Sequence, residues 1–204
     1  KLTKKTMYRN FLKPLLDFSV AFIILLVALF PLLIIAILIL VESNGPLFFK
    51  QERVGKDLKF FKVFKFRTMT NEKRTVGNAP IIGKAEGVTK VGYYLRRYKI
   101  DELPQLLNVL LGDMSLIGPR PSVPEQLRQM SEEEKRRYSV RPGLTGLAQI
   151  NGNIHLSWKE RFVYDLHYVN HVTFWNDIKI IFRTVFIVIL GEKKFLNKPI
   201  MDEK

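Results

Sequence analysis

The chain has 204 residues, with 33 lysines and arginines against 19 aspartates and glutamates, so its formal net charge is +14. This length suits one domain with an added membrane element. The positive charge predicts an anionic partner, which is nucleic acid, an anionic lipid surface or a phosphorylated substrate. The sequence contains no cysteine, which excludes disulfide bonds and thiolate chemistry.

The first predicted element is an apolar run at residues 15–41, LLDFSVAFIILLVALFPLLIIAILILV. The run exceeds the about 20 apolar residues that a membrane-spanning helix needs. It is too long for the apolar part of a cleavable signal peptide. Pro31 lies in its middle, where the missing backbone N–H favours a kink or a break in the helix.

Both flanks of the apolar run are rich in lysine and arginine, and such flanks belong in the cytoplasm. A helix that crosses the membrane places only one flank there. A re-entrant helix that bends near Phe30 and Pro31 and returns places both flanks there. We therefore favour the re-entrant helix. A plain transmembrane anchor that tolerates Pro31 is the alternative.

Short β-rich runs on either side of a V-G-K-D turn predict a β-hairpin over residues 46–69, with Lys65 and Arg67 on its basic face. Residues 71–87 are rich in turn formers and are predicted to be a loop. An amphipathic helix is predicted over residues 88–99. A second helix with one apolar face is predicted to follow Asp101 and to end at Gly112.

Three helices are predicted in the last third of the chain. Two begin with capping boxes, Ser131 with Glu134 and Ser157 with Glu160. The third, within residues 175–191, starts at Asn176 or Asp177 and is very apolar. It suits either a helix that lies in the membrane interface or a buried core helix, and the sequence favours neither. Residues 192–204 are predicted to be a polar tail.

Two adjacent acids, Asp101 and Glu102, follow a basic stretch and precede the apolar helix. Most aspartates at such a position are helix N-caps, and this is the simpler interpretation of Asp101. The alternative is chemical, because a helix N-terminus beside Arg96 and Arg97 attracts anions. A carboxylate in that field is expected to have a lowered pKa and to stay ionised. It could then attack phosphorus or bind Mg²⁺.

Two arginines next to prolines are candidate phosphate ligands. Arg120 lies between two prolines, which restrain its backbone, so its planar donor fork is aimed at little entropic cost. Arg141 precedes Pro142 and a glycine-containing stretch in which a backbone could approach a ligand closely.

Six segments, in this order, resemble the bacterial sugar transferases, also called small monotopic phosphoglycosyl transferases (PglC-like). They are the apolar run with its central proline, KVFKFRTM (62–69), IDELPQLLNVLLGDMS (100–115), GPRP (118–121), RPGLTG (141–146) and AQING (148–152). The resemblance runs from about residue 8 to about residue 190.

The resemblance implies transfer of a sugar-1-phosphate from a UDP-sugar to a polyprenol phosphate at the cytoplasmic face of the bacterial inner membrane. It implies that Asp101 is the nucleophile, that Glu102 is its partner, and that both are available to the required Mg²⁺. The basic side chains implied to bind lipid or nucleotide phosphates are Lys65, Arg67, Arg96, Arg120 and Arg141. Membrane phospholipids are a further expected partner, and a homo-oligomer is compatible with the sequence.

Two positions depart from the family pattern. Phe30 precedes the central proline where a small polar residue is expected, and Asn153 follows the last Asn-Gly where relatives often have arginine. A missing guanidinium there could alter contact with the nucleotide or the sugar. We therefore transfer no relative's sugar specificity to this chain.

The expected fold is α+β and mostly helical. It has an N-terminal re-entrant membrane helix bent near Pro31 (residues 1–45), a catalytic domain (residues 46–191) with a small β-hairpin and amphipathic interfacial helices, and a tail (residues 192–204). A non-catalytic, basic membrane-surface module would explain the charge and the apolar run, but not the acidic pair among the arginines. A nucleic-acid binder is disfavoured because no recognition motif is visible and the apolar run would have no role in it.

Overall fold

The N-terminal helix is the longest element in the computed structural model, which describes residues 4–70 and 87–191. A short α1 (Lys4–Met7) and a π-helical turn (Tyr8–Leu12) lead into α2 (Lys13–Glu42). Within the described residues, Tyr8–Glu42 is the one helix long and apolar enough to cross a membrane, and an 18-residue stretch of it has a mean hydropathy of 3.5. Most of its large side chains are exposed.

The helix continues through Pro31, so the proline does not end it. Phe30 is 72% exposed, beside the proline on the outer surface. A proline can tilt a helix axis without ending the helix. The bend near Phe30 and Pro31 therefore stays a prediction.

The predicted hairpin is confirmed. Strands β1 (Phe48–Val54) and β2 (Phe60–Phe66) are antiparallel, and a 3₁₀ turn (Lys56–Leu58) joins them. The free edge of β2 is bound by Asn108, whose Oδ1 accepts from the Phe64 N–H at 3.0 Å and whose Nδ2 donates to the Lys62 carbonyl at 2.9 Å. The amide side chain thus replaces a third strand and fixes the hairpin against the helix that carries it.

Helices and short strands complete the described chain. In order, they are α3 (Lys90–Arg97), a 3₁₀ turn (Ile100–Glu102), α4 (Gln105–Leu111), β3 (Ser115–Ile117), α5 (Pro124–Leu127), α6 (Glu132–Lys135), a 3₁₀ turn (Arg136–Ser139), β4 (Gly143–Thr145), α7 (Leu147–Ile150), a 3₁₀ turn (Asn153–His155), α8 (Trp158–Asn170) and α9 (Phe174–Leu190). The α+β, mostly helical class is confirmed.

The parallel pair of β3 and β4 was not predicted from the sequence. It depends on two glycines, because an added Cβ on Gly143 would lie 2.1 Å from the Gly118 nitrogen. An added Cβ on Gly146 would likewise lie 2.1 Å from the Gly118 carbonyl oxygen. These glycines, expected to let a backbone approach a ligand, instead let one backbone approach another.

The N-terminal helix shares its core with the rest of the protein. Tyr8 and Ala21 are buried in one cluster with Leu106, Val109 and Met114. Near its other end, Ile39 packs in a second cluster with Phe66 of the hairpin and Leu95 of α3. Both ends of α2 are therefore packed against residues of the segment 46–191.

Several local predictions can be compared with the structure. The helix within 88–99 and both capping boxes are confirmed. The start of the last helix was wrong, since α9 begins at Phe174 behind a Thr173 cap. The loop at 71–87 lies, except for Gly87, outside the described residues, and so does the tail at 192–204.

Helix α9 has two different faces. Asp177 and Ile180 are buried against the protein, whereas Phe182, Phe186 and Ile189 are exposed. A helix with an exposed apolar face suits the membrane interface better than a fully buried core position.

Candidate active site

The acidic pair lies in a 3₁₀ turn between α3 and α4. Lys99, at the start of the turn, has left-handed backbone angles (φ 57°, ψ 19°), which reverse the chain after α3. The residue at the N-cap position of α4 is Pro104, and neither the turn nor α4 has a side-chain cap. The interpretation of Asp101 as an N-cap was therefore wrong, because the 3₁₀ turn places it before the cap position.

Glu102 is held by two cations. Its Oε1 accepts from Lys65 Nζ at 2.6 Å and from Arg120 Nη2 at 2.5 Å, and its Oε2 accepts from Arg120 Nη1 at 3.3 Å. Burial opposes ionisation of this carboxyl group, but Arg120 and Lys65 outweigh it and hold the Glu102 pKa well below its usual range. Glu102 is thus a fixed anion.

Asp101 is in the opposite situation. Within the described residues its carboxyl group makes no hydrogen bond or ion pair. Burial and the neighbouring charge of Glu102 raise its pKa, and Lys65, Arg96 and Lys99 oppose the rise only in part. The expectation of a lowered pKa was wrong, because it counted the cations and left out burial and the second acid.

Arg96 approaches the pair from α3. Its Nε donates to the Thr68 hydroxyl at 2.9 Å. Helix α3 comes this close because Gly92 has no side chain, and an added Cβ there would lie 2.2 Å from the Thr68 carbonyl oxygen. Arg96 is thereby fixed where its charge acts on Asp101.

The backbone around Arg120 is fixed by two further arginines that sequence reasoning missed. Arg137 Nη2 donates to the Arg120 carbonyl at 2.8 Å and to Asp165 Oδ2 at 2.6 Å, and it also binds Ser122. Arg53 Nη1 donates to the Pro121 carbonyl at 3.2 Å. The restraint expected from the flanking prolines is therefore reinforced by hydrogen bonds, and the fork of Arg120 is used on Glu102.

Two of the expected phosphate ligands lie elsewhere. Arg67 is buried, and its Nη2 donates to the Ser43 carbonyl at 2.5 Å and to the Ile39 carbonyl at 3.3 Å, so it binds the C-terminal end of α2. Arg141 Nη2 lies 3.9 Å from the Cβ position of Gly112, at the end of α4 away from the acidic pair. Phosphate binding by either arginine stays a prediction.

No group of three or more acidic, histidine or cysteine side chains is placed to hold a metal ion in the part of the chain that the structure describes. Both oxygens of Glu102 are bound to cations, whereas those of Asp101 are not. Mg²⁺ in phosphate-handling sites needs only one or two carboxylates beside water and substrate oxygens. The residues present fit such an ion, with Asp101 as the available protein ligand.

A cleft is connected to the acidic pair through Arg120, which lines the cleft and binds Glu102. Three more arginines line it, namely Arg53, Arg137 and Arg161. Trp158, Phe162 and Gln149 form other parts of the wall, and so does Asn153. An arginine-lined cleft next to an available carboxylate suits a phosphorylated substrate.

A long apolar helix packed on a small α+β domain, with an acidic pair connected to an arginine-lined cleft, suits a membrane-associated enzyme that handles phosphates. The sequence model of the bacterial sugar transferase family matches residues 8–191. The chain belongs to the bacterial sugar transferase family.

Comparison with individual proteins supports the family assignment. The sugar transferase EpsL of Bacillus subtilis is 42% identical over 181 residues, which cover 89% of this chain and 89% of EpsL. The UDP-glucose:undecaprenyl-phosphate glucose-1-phosphate transferase of Escherichia coli is 42% identical over 89% of this chain, and an undecaprenyl-phosphate galactose phosphotransferase of Salmonella typhimurium is 36% identical over 88%. The match spans only 40% and 41% of the length of these last two relatives.

Proposed function

We propose that this protein transfers a sugar-1-phosphate from a UDP-sugar to a polyprenol phosphate, with undecaprenyl phosphate as the acceptor. The reaction is the first membrane step in assembly of a bacterial glycoconjugate. The observation that carries the proposal is the difference between the two acids of the pair. Glu102 is fixed by Lys65 and Arg120, while Asp101 makes no side-chain bond within the described residues. This leaves Asp101 available to attack.

In the first step, an Asp101 carboxylate oxygen attacks the phosphorus that carries the sugar. A new P–O bond forms, the bond from that phosphorus to the bridging oxygen breaks, and UMP leaves with both electrons of that bond. In the second step, a phosphate oxygen of the lipid attacks the same phosphorus. The Asp101–phosphorus bond then breaks, and the product is a polyprenyl diphosphate sugar.

Glu102 positions Lys65 and Arg120 by its three hydrogen bonds, so both cations stay next to the reacting phosphate group. Their charge stabilises the negative charge on the phosphoryl oxygens. Mg²⁺, when bound through Asp101, neutralises phosphate charge.

The proposed location is the inner membrane, with the residues 46–191 on the cytoplasmic face and α2 re-entrant. Two observations support it. The basic flanks of α2 both favour the cytoplasm. In addition, Asp17 near one end of α2 binds Ser115, and Glu42 at the other end accepts from the backbone of Lys90 and Val91. Membrane phospholipids would then surround the exposed apolar faces of α2 and α9.

The experiment that tests the function measures UMP release from a panel of UDP-sugars by the full chain, with undecaprenyl phosphate and Mg²⁺. We expect release with at least one UDP-sugar, dependent on both additions under multiple-turnover conditions. A non-catalytic membrane-surface module would release no UMP with any donor.

A further inference from the structure

One part of the arginine-lined cleft has no role in the proposed chemistry. Gln149 and Trp158 belong to that part of its wall. Gln149 donates through Nε2 to the Leu144 carbonyl at 3.0 Å, which fixes the orientation of its amide group. Its Oε1 is buried and has no hydrogen-bond partner within the described residues.

A buried carbonyl oxygen without a partner is costly, and native proteins rarely keep one unless a ligand or water completes it. The same cleft wall offers a donor in the same state. Arg137 is 4% exposed, and its Nε is buried without a hydrogen-bond partner among the described residues. Both residues line the cleft, and a ligand that enters it could supply the missing partners of this acceptor and this donor.

An aromatic surface lines the same cleft. Trp158 is 50% exposed, although it is a large apolar side chain. The guanidinium carbon of Arg161 lies 4.5 Å from the centroid of its ring, which restrains the indole. Flat aromatic and guanidinium surfaces of this kind are the ones on which nucleobases stack.

We propose that this part of the cleft wall binds the uracil base, with Gln149 Oε1 accepting the N3–H and Trp158 providing the stacking surface. The inference rests on the proposed function for the identity of the nucleotide. Uracil fits the wall because it offers an N–H next to carbonyl oxygens. Cytosine presents a lone pair at the same ring nitrogen, which an acceptor repels. The diphosphate then lies among Arg53, Arg120 and Arg161, which leads the sugar phosphate to Asp101.

The first test uses fluorescence, because the chain has only two tryptophans, Trp158 and Trp175. In the full-length Trp175→Phe variant, all tryptophan emission comes from Trp158, and we expect UMP to quench it saturably. In the matched Trp158→Phe variant, emission comes from Trp175 on the exposed surface of α9, and we expect no quenching by UMP.

The second test measures base selection by calorimetric binding of UMP and CMP. The wild-type protein should bind UMP more tightly than CMP, and Gln149→Leu should reduce that preference by about tenfold, the effect expected from loss of one buried hydrogen bond. Gln129→Leu changes an exposed glutamine and should leave the preference unchanged. If Gln149 has a purely structural role, Gln149→Leu would weaken the binding of UMP and CMP equally.

The outcomes separate this inference from the proposed function. Turnover of a UDP-sugar with unchanged Trp158 emission at saturating UMP would overturn the inference and leave the function. An unchanged preference for UMP in folded Gln149→Leu would do the same. Saturable quenching of Trp158 by UMP, with no UMP release from any UDP-sugar, would support the cleft as a uridine site and overturn the function. Should Gln149→Leu fail to fold, the fluorescence result decides alone.

Discussion

At the scale of single residues, Asp101 and Glu102 are neighbours in the chain with opposite electrostatic surroundings. Two cations hold Glu102 ionised, whereas burial and Glu102 itself make ionisation of Asp101 less favourable. A poorly stabilised carboxylate is a better nucleophile than one that is tied up in ion pairs. The pair therefore separates the group that organises the site from the group proposed to react.

The first prediction concerns Asp101→Asn, which should abolish turnover because an amide is a far poorer nucleophile toward phosphorus. Although the substitution should abolish turnover, it should leave the folded protein as stable as before or more stable. The folded-state pKa of Asp101 is raised above its unfolded value, so stability is lost as the pH rises from the ordinary value through the folded one. At neutral pH the ionised group is destabilising, and Asn should unfold at an equal or higher temperature.

Two measurements check this prediction. UMP release and thermal unfolding are compared between the wild-type protein and Asp101→Asn in one detergent. Wild-type protein given a reactive UDP-sugar without acceptor should also gain the mass of a phosphosugar at Asp101, and the variant should not. Asp57→Asn changes an exposed carboxylate and is the matched control. Near-normal turnover by folded Asp101→Asn would remove Asp101 from the mechanism.

The second prediction is the pH dependence of kcat/KM. Because burial and Glu102 raise the Asp101 pKa, the reactive carboxylate is lost at a higher pH than an ordinary aspartate with a pKa of about 3.9. At the lowest Mg²⁺ concentration that supports turnover, the acid limb of the profile should therefore lie above about pH 4. An acid limb below that value would restore the earlier expectation of a lowered pKa.

The third prediction concerns Arg120→Lys, which keeps the charge but loses the planar fork on Glu102. One lost charge-assisted hydrogen bond is worth about 1.5–3 kcal/mol, so kcat/KM should fall by roughly ten- to a hundredfold. Arg128→Lys, at an exposed position, is the control and should keep full activity. Full activity of Arg120→Lys would show that the bidentate geometry is not needed.

At the scale of elements, the N-terminal helix is attached to the rest of the protein by a buried polar cluster. Asp177 of α9 accepts from Lys13 Nζ at 2.8 Å, from the Tyr8 hydroxyl at 2.7 Å and from the Tyr168 hydroxyl at 2.8 Å. On the next turn of α2, Asp17 accepts from the Ser115 hydroxyl at 2.7 Å. Three helices and a strand therefore meet at one cluster.

The fourth prediction follows from this cluster. Asp177→Asn replaces a shared anion by an amide and breaks the 2.8 Å ion pair with buried Lys13, which keeps only its longer 3.7 Å ion pair with Asp17. Breaking a buried ion pair in this way costs about 3–5 kcal/mol, so the protein should unfold at a clearly lower temperature. Differential scanning calorimetry in detergent measures the change, with exposed Asp57→Asn as the reference. An unchanged unfolding temperature would mean that the cluster adds nothing to attachment of the helix.

Local sequence signals predicted elements better than they predicted contacts. The hairpin follows from alternation around a V-G-K-D turn, and both capping boxes follow from residues three positions apart. Asp177 was taken only as a helix start, because its partners Lys13 and Tyr8 are more than 160 positions away in the chain.

In the candidate site, too, the sequence indicated the residues but not their contacts. The two acids and Arg120 could be singled out because their neighbours in sequence restrict them. The assignment of Arg120 to phosphate missed Glu102 as its partner, 18 positions away. The pKa of Asp101 depends on burial, which a sequence does not display. Arg53 and Arg137 were missed because only the fold brings them to the backbone around Arg120.

At the scale of the whole molecule, the question is how the protein lies in the membrane. Single cysteines are informative here because the chain has none of its own. With the re-entrant arrangement, Asn10→Cys and Lys56→Cys should both react with a membrane-impermeant maleimide only when the cytoplasmic face is exposed. Phe30→Cys, inside the apolar run, should be protected from either side.

Intact cells and inverted membrane vesicles give the two sides of this comparison. A periplasmic protein with a known accessible cysteine serves as the control for intact cells. Reaction of Asn10→Cys from outside in intact cells, with Lys56→Cys reacting only in inverted vesicles, would establish a crossing anchor and contradict the re-entrant topology.

The packing of α2 limits how far this protein can be treated as modular. Ala21 and Ile39 fill two different hydrophobic clusters of the segment 46–191, and Lys13 neutralises a carboxylate inside it. A fragment that starts after residue 45 would therefore contain two unfilled grooves and would leave Asp177 without its cation. Exchanging the helix for an unrelated anchor would preserve membrane attachment but not the fold, so water-soluble or chimeric versions require redesign of the surface that α2 covers.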